Sequence, residues 1–486
     1  MPHIDYDLFA AARQEMIDEG FNPDFPPDVS QQVNTLKAGA TPAADGDVRD
    51  LRHLCWSSID NDTSRDLDQA EVAERVNGGI RVLIAVADVD SDVAIGSPID
   101  RHAAEQTTSV YTGIRTFSML PEELSTDLTS LNEGAVRLAV VVEMVVAGDG
   151  SPSSNGIYRA LVSNQAQLTY NAVGSWLEGT SAAPDKIGAS SDLEAQLRMQ
   201  DEAAQILLER RHRMGALDID RAEPEAVISD GQVQDIHARK KNRASELIEN
   251  FMVAANGVMA RTLMNAGISS IRRVVRTPER WPRIVELAAR YGERLPPEPD
   301  SGALNAFLQR RKAEDEVHYA DVSLAVIKLM GPGEYVLARA GHEDQGHFAL
   351  AAHDYTHSTA PNRRFADTVT QRLIKSVLAR QPSPYSDPQL DSIARNCTLK
   401  EDAARKVERK MHKRIAAVAL RHRIGESFAA VVTGVTPKGV FVRVLNPPAE
   451  GLLVSGQHGV DVGDQLRVKL VNTDPRHGYI DFVRTK

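Results

Sequence analysis

Two segments that read as neighbouring strands, residues 54–59 and 67–76, are joined by a polar loop, and Asp60, Asp62, Asp66 and Asp68 stand in or beside that loop. No stretch of the chain restricts its fold more tightly. Asp60 closes the first run. Asp66 and Asp68 stand two apart at the opening of the second, so strand alternation puts them on one side. A tight loop then gathers Asp60, Asp66 and Asp68 into one cluster. Such a cluster repels itself unless positive charge sits among it, and hard oxygen donors suit Mg2+ or Mn2+. Two such ions roughly 3.5–4 Å apart can activate a water and stabilise the leaving oxygen of a phosphodiester. Taken alone, a solvated acidic turn is the simpler reading, and the Gly-anchored spacing of a calcium loop is missing.

A chain of 486 residues exceeds what one apolar core usually supports, so two or three domains are expected. Residues 4–20 show a helical pattern, with Leu8, Phe9, Ala12 and Met16 on one face and Gly20 as a stop. A second short helix starts near Asp28, before a linker from Gly39 to Gly46; residues 1–48 are too few for an independent enzyme domain. After the acidic turn, Asn77-Gly78-Gly79 makes a tight turn, and residues 80–87 and 138–146 read as buried strands. Residues 179–192, rich in Ala, Ser and Gly, read as a loop. Helices are expected over 193–213, 245–263, 303–330 and 367–378, and a long basic helix over about 399–421. The last segment differs: residues 428–435, 439–445, 450–454, 465–471 and 478–483 read as five short strands. That number and spacing suggest an OB-type barrel, a common binder of single-stranded nucleic acid. The expected class is therefore α+β, a mixed sheet with surrounding helices over 49–421 followed by a five-stranded OB-fold barrel over 422–486.

The formal net charge of −11 argues on its face against a nucleic-acid binder. The charge is uneven, however. Between Arg395 and Arg423, Lys400, Arg405, Lys406, Arg409, Lys410, Lys413, Arg414 and Arg421 meet few acids, and a local basic surface can still attract phosphates. Two distant cysteines, Cys55 and Cys397, fit reduced thiols rather than a disulfide framework or a zinc site. The N-terminus lacks a signal-peptide pattern and no apolar run is long enough to cross a membrane, so a cytoplasmic protein with no membrane partner is expected. There is no Walker loop, dinucleotide fingerprint or GxSxG elbow, and no nucleotide cofactor is expected.

Further segments join the acidic turn in a fixed order. They are Ala87-Asp88-Val89 with Gly96 to Arg101, Thr108 to Tyr111 with Ser118 to Ser125, Ser130-Leu131-Asn132, Gly215 to Asp218, Glu246 to Met252 with Ala255-Asn256, and Tyr355 to Asp367. Together they make the stretch from Ile59 to about Leu378 resemble the catalytic (RNB) domain of the ribonuclease II family. Lys438 to Val442, Glu450 to Leu453 and Val462-Gly463-Asp464 are similar to the RNA-binding barrel that usually closes these enzymes. The resemblance implies a monomeric, Mg2+-dependent exoribonuclease (Mn2+ being an alternative) that hydrolyses single-stranded RNA from a 3′ end. Its products would be nucleoside 5′-monophosphates and a short terminal fragment.

Roles follow position by position. Asp60 and Asp66 match metal-site carboxylates, and Asp68 matches the carboxylate on which the family's chemistry depends most. Arg363 matches an arginine that holds the scissile phosphate, a task suited to a guanidinium fork. Tyr111 matches an aromatic that stacks on a base near the cleavage site, and Glu408 stands where the family has a glutamate near the 3′-terminal nucleotide. Arg364 and Glu249 are expected among the RNA contacts. Each has a plainer reading: Arg363-Arg364 as a solvated pair, Tyr111 as core, Glu408 as the partner of Arg405, Glu249 as an exposed helix face. His353 and His357 stand four apart and could hold a metal on a helix, but no third ligand is evident.

Two departures qualify the resemblance. Gln69 occupies the place of a fourth aspartate, next to Asp68. An amide oxygen can ligate Mg2+ but brings no charge, so metal affinity should fall, and a relative that binds RNA without cutting it is a rival reading. A metal phosphodiesterase for a small nucleotide is a second rival, against which the barrel and Tyr111 speak. The family also usually begins with two cold-shock-type barrels, for which residues 1–48 are too few. Anchoring is then expected to fall on the C-terminal barrel and the basic helix, with weaker processivity and a looser block against structured RNA.

Overall fold

The computed structural model describes residues 6–39, 46–219, 223–229, 232–239, 241–342, 346–444 and 446–485. Helices α1 (Leu8–Asp18) and α2 (Pro27–Lys37) open the chain. Asp7 caps α1 by accepting from the Ala10 N–H, and Gly20, at φ +81°, turns the chain away as expected. Most of the linker expected from Gly39 to Gly46 lies outside the described residues.

Strands β1 (Arg49–Asp50), β2 (Trp56–Asp60), β3 (Gln69–Val76) and β4 (Gly79–Ala87) follow. The β3–β4 hairpin closes through Asn77-Gly78, with Val76 opposite Gly79 and Gly78 at φ +96°. After α3 (Pro98–Gln106), a two-stranded ribbon forms from β5 (Val110–Tyr111) and β6 (Thr116–Phe117). Strands β7 (Val136–Val146) and β8 (Pro152–Thr169) complete a six-stranded sheet in the order β1-β8-β2-β3-β4-β7. The first part of β8 runs antiparallel to β7 and its last part parallel to β2, so the sheet closes on itself. Its Val- and Ile-rich strands are buried on both faces over much of their length, which explains their near-continuous apolar character.

Helices α4 (Tyr170–Leu177), α5 (Asp185–Gly188), α6 (Ser191–Arg213) and α7 (Arg243–Asn265) pack around this sheet. The short α5 falls in the stretch expected as a loop. Ile187 is buried there and anchors one turn among polar neighbours too sparse in apolar residues to show a period. Between α6 and α7, β9 (Glu223–Ser229) and β10 (Gln232–Arg239) pair as a ribbon that sequence reading did not find. A second core forms where α8 (Trp281–Arg290), α9 (Ser301–Glu314) and α10 (Glu316–Met330) meet around Trp281, Phe307 and Tyr319. They are bracketed by the paired strands β11 (Ser270–Val274) and β12 (Glu334–Ala338). Helix α11 (Phe365–Leu378) is buried along most of its length.

Helix α12 (Asp387–Leu420) runs for 34 residues and starts well before the expected position. Ser386 and Gln389 form a capping box and Pro388 sits in the first turn, so a sequence that reads as a turn is a helix start. Strands β13 (Ser427–Thr436), β14 (Gly439–Val444), β15 (Ala449–Ser455), β16 (Gln465–Asp474) and β17 (Tyr479–Thr485) form the expected closed barrel, in the order β13-β14-β15-β17-β16. The fold class is thus α+β, with a catalytic-type domain and a five-stranded barrel. Val407, Met411 and Ile415 of α12 share one core with Val432, Val442 and Phe482 of the barrel and with Leu8 and Met16 of α1.

The basic stretch of α12 meets more acids than expected. Lys410 reaches Glu15 at 2.9 Å and Glu19 at 2.8 Å, Arg414 pairs with Glu15, and Lys400 donates to the Gly20 carbonyl at 2.6 Å. Arg405 bonds Glu401 at 2.6 Å, one turn back. Glu15 and Glu19 thus meet Lys406, Lys410 and Arg414 of this face. Among the described residues no helix is long and apolar enough to cross a membrane, and Cys55 and Cys397 are free thiols.

Candidate active site

The site begins where β2 ends. The Asp60 carboxylate accepts from the Asn61 N–H at 2.7 Å and from the Ser64 hydroxyl at 2.9 Å, a local turn that bends the chain back. The Leu67 N–H donates to Ser130 Oγ at 2.9 Å, and Ser130 Oγ donates to the Arg65 carbonyl at 2.9 Å. Leu67 is buried, and its carbonyl accepts from the Leu131 N–H at 2.9 Å. These bonds hold Asp66 and Asp68 in an extended segment just ahead of β3. The strand begins at Gln69 rather than at Leu67, because residues 65–67 pair with residues 130–131 instead of with β2.

A segment from far along the chain closes the other side. Ser358 is fixed by Asn256, through its N–H at 2.9 Å and its hydroxyl at 2.7 Å. The Ala360 N–H donates to Asp367, which is buried, and Arg364 grips the same carboxylate through Nε at 2.9 Å and Nη2 at 2.7 Å. So braced, the Asn362 N–H donates to Asp68 Oδ1 at 2.9 Å, and Arg363 Nε stands 3.8 Å from Asp68 Oδ2. The Ser109 N–H donates to the Arg363 carbonyl at 3.0 Å, which ties this segment to the strand carrying Tyr111.

Tyr111 is not core. Its residue is 40% exposed and the Arg363 side chain 44%, so both can be reached from solvent. Glu408 of α12 accepts from the Tyr111 N–H at 3.1 Å and fixes the ring's strand. The plainer partner for Glu408, Arg405, is taken by Glu401. Gly113, at φ +83°, lets the β5–β6 ribbon sit on α12, where a Cβ would lie 2.9 Å from Ile415 Cδ1.

The electrostatics are those of crowded acids. Burial pushes the Asp68 carboxyl up to about 8; Arg363 opposes the rise and Asp66 adds to it. Asp66 is also raised by burial, with Asp60 adding and Arg363 opposing. The Tyr111 phenol is raised by burial and by the three carboxylates, against the pull of Arg363. Asp60, Asp66, Asp68, Arg363 and Tyr111 therefore act on one another, and Glu408 joins them through Tyr111.

Two expected RNA contacts are placed otherwise. Arg364 turns inward onto Asp367, which keeps it charged against the cost of burial; its part in the site is to hold the loop that carries Arg363. Glu249 lies in a separate cluster with Lys241 at 2.6 Å and Arg211 at 3.3 Å. His357 is not on a helix and is buried beside Tyr335, whose hydroxyl meets Nδ1 at 2.8 Å; burial keeps it neutral. Sequence reading gave no separate role to Asn256, Asn362 or Asp367, although all three fall inside motifs already singled out.

The donor set fits an oxygen-loving divalent cation. Asp60, Asp66 and Asp68 offer only carboxylate oxygens, and burial and mutual repulsion raise Asp66 and Asp68 despite Arg363. Among the described residues no three acidic, histidine or cysteine side chains form a ready-made cage. Mg2+ commonly keeps several waters and is held by one or two carboxylates together with substrate phosphate.

Residues 48–380 match the RNB domain and residues 426–485 match the RNase II-type exonuclease C-terminal S1 domain. Ribonuclease R of Thermotoga maritima is 30% identical over 95% of this chain and 68% of its own length. Ribonuclease R 1 of Lactococcus lactis is 28% identical over 89% of this chain, which spans only 56% of that relative. Among solved structures, Mycoplasma genitalium RNase R in complex with ribose methylated single-stranded RNA superposes with a TM-score of 0.88 at 23% identity, covering 99% of this chain and 78% of that one.

Proposed function

The chain belongs to the RNB-domain family of RNase II-type exoribonucleases, and on that premise we propose that it hydrolyses single-stranded RNA from the 3′ end, with Mg2+ or Mn2+, to nucleoside 5′-monophosphates. One observation carries this reading: Asp68 and Arg363, nearly three hundred positions apart in sequence, meet at 3.8 Å beside the partly exposed ring of Tyr111. The RNA bound to the Mycoplasma genitalium protein supports RNA as the substrate.

Each residue then has a task. The Tyr111 ring offers a face on which the terminal base stacks, and Glu408 holds its strand in place. Arg363 is loose enough at 3.8 Å from Asp68 to turn its remaining nitrogens to the scissile phosphate, where it stabilises charge that grows on the non-bridging oxygens. Asp60, Asp66 and Asp68 would hold the divalent cation, which when bound supplies Lewis acidity and a more acidic water. The water oxygen bonds to phosphorus as the bond to the 3′ oxygen breaks. That oxygen takes a proton and becomes the new 3′ hydroxyl, and the released nucleotide keeps its phosphate on the 5′ side. The proton lost by the water passes to solvent or to a neighbouring carboxylate. Recognition through stacking and phosphate leaves base sequence unread, while the 2′ hydroxyl distinguishes RNA from DNA.

Gln69 favours a second reading, an RNA-binding protein that cuts slowly or not at all. The two are separated by incubating labelled single-stranded RNA with Mg2+ or Mn2+ beside Asp68→Asn. Cleavage by the native chain, lost in the variant while RNA binding persists, supports the enzyme. Equal RNA binding without cleavage by either chain establishes the second reading.

A further inference from the structure

Glu71 is a buried acid that the chemistry described so far does not use. It lies in the middle of β3, fully buried, and among the described residues neither carboxylate oxygen has a hydrogen-bond partner. Ser57 directly opposes it on β2, and its hydroxyl is unpartnered as well. Gln200 of α6 donates to the Glu71 carbonyl at 3.3 Å and leaves its own amide oxygen without a partner. Proteins seldom bury acids in this way, because a buried carboxylate is normally paired or turned toward a metal.

Its position relates it to the cation site proposed above. Glu71 stands two residues after Gln69 on the same strand, so both side chains leave the same face of β3. The Asp60 carboxylate is close enough for its charge to act on Glu71. Gln69 is itself held at the strand end, where its amide donates to the Ile59 carbonyl at 3.4 Å. Gln69, a neutral amide where the resemblance puts a fourth aspartate, thus has a carboxylate one side-chain row behind it, roughly 6.6 Å further along the strand. Glutamate, one methylene longer than aspartate, spans part of that distance.

Resting on the cation-dependent reading above, we propose that Glu71 is a working member of the cation site, supplying from the next row of β3 the negative charge that Gln69 does not. The acid has moved two positions along one face, and the site keeps its full charge with an altered ligand. Glu71 is a positioning residue: it acts on the cation and not on the RNA.

The test is Mn2+ binding by the full chain, followed by the spin-resonance signal of the free ion with no RNA present. Glu71→Gln keeps the volume and removes the charge, and should weaken Mn2+ binding about tenfold or more, the size of effect seen when groups supporting a metal are removed. Restoring an aspartate at the usual place, as Gln69→Asp in a Glu71→Leu background, should recover native affinity, and this arm stands even if Glu71→Gln folds poorly. The proposal is overturned if Glu71→Gln and Glu71→Leu bind Mn2+ like the native chain and merely melt at a higher temperature, as expected for relief of a buried burden. It is also overturned if the double variant folds but does not recover affinity. Asp60→Asn separates the two levels: if it loses Mn2+ while Glu71→Gln does not, only this inference fails, and if it too binds normally, the cation site itself is misplaced.

Discussion

At the scale of single residues, the site is a set of acids placed where water no longer shields them. Asp68 ionises near 3.9 in an unfolded chain but only at about 8 in the metal-free fold. Between those values the folded state holds a proton that the unfolded state has lost, so stability falls as pH rises from about 4 to 8. In EDTA, melting temperature should be higher at pH 5.5 than at pH 8. Asp68→Asn should flatten that slope, and Mg2+ should raise the pH 8 value most, because the cation takes the place of the proton. Arg363 is expected to act on the transition state: Arg363→Lys keeps charge but loses the fork, and should lower kcat about a hundredfold with little change in KM. Tyr111→Ala should weaken the hold on the RNA terminus about tenfold, the worth of one stacked base, whereas Tyr111→Phe keeps the stacking face and should behave like the native chain. Direct measurement of RNA binding to these variants in EDTA checks both tyrosine outcomes. Much of this cluster was legible in the sequence, since Asp60, Asp66 and Asp68 lie within nine positions. Arg363 was reachable only through the resemblance, because no local pattern joins residues so distant. Glu71 was missed because a glutamate in an alternating strand reads as the solvent face, and its burial depends on α6 closing over β3.

At the scale of elements, long-range contacts decide what local pattern cannot. The strands around the acidic turn and all five strands of the barrel were readable from alternation and turn residues. The start of α12 was hidden by Pro388, and the β9–β10 ribbon offered no clear period. The face of α12 was read correctly as basic, but the acids opposite part of it were not seen. Nothing in its own sequence tells that Glu15 and Glu19, some four hundred positions earlier, cover it. Glu15 is buried between Lys410 and Arg414, so Glu15→Ala leaves two cations without their shared partner. The expected loss is about 2 kcal/mol, reduced from the cost of a fully buried pair because Lys410 is partly exposed. Urea unfolding measures it, and an unchanged midpoint would show that α1 is held by its apolar face alone.

At the scale of the whole molecule, α12 links two functions. Within its second half Glu408 supports the site, while Val407, Met411 and Ile415 share a core with the barrel and α1. A chain ending at Arg421 would expose Met411, Ile415 and their neighbours. It should aggregate or lose cooperative melting, whereas a soluble product with the native melting temperature would show that the barrel is an independent appendage. The reading as a whole stands or falls on how RNA is shortened. A single-stranded RNA labelled at its 5′ end, incubated with the native chain and Mg2+ and sampled over time on a denaturing gel, measures this directly. The expected result is a ladder that steps down one nucleotide at a time toward a short terminal fragment, absent in EDTA and absent with Asp68→Asn. Intact RNA at every time, or internal fragments in the earliest samples, would contradict it.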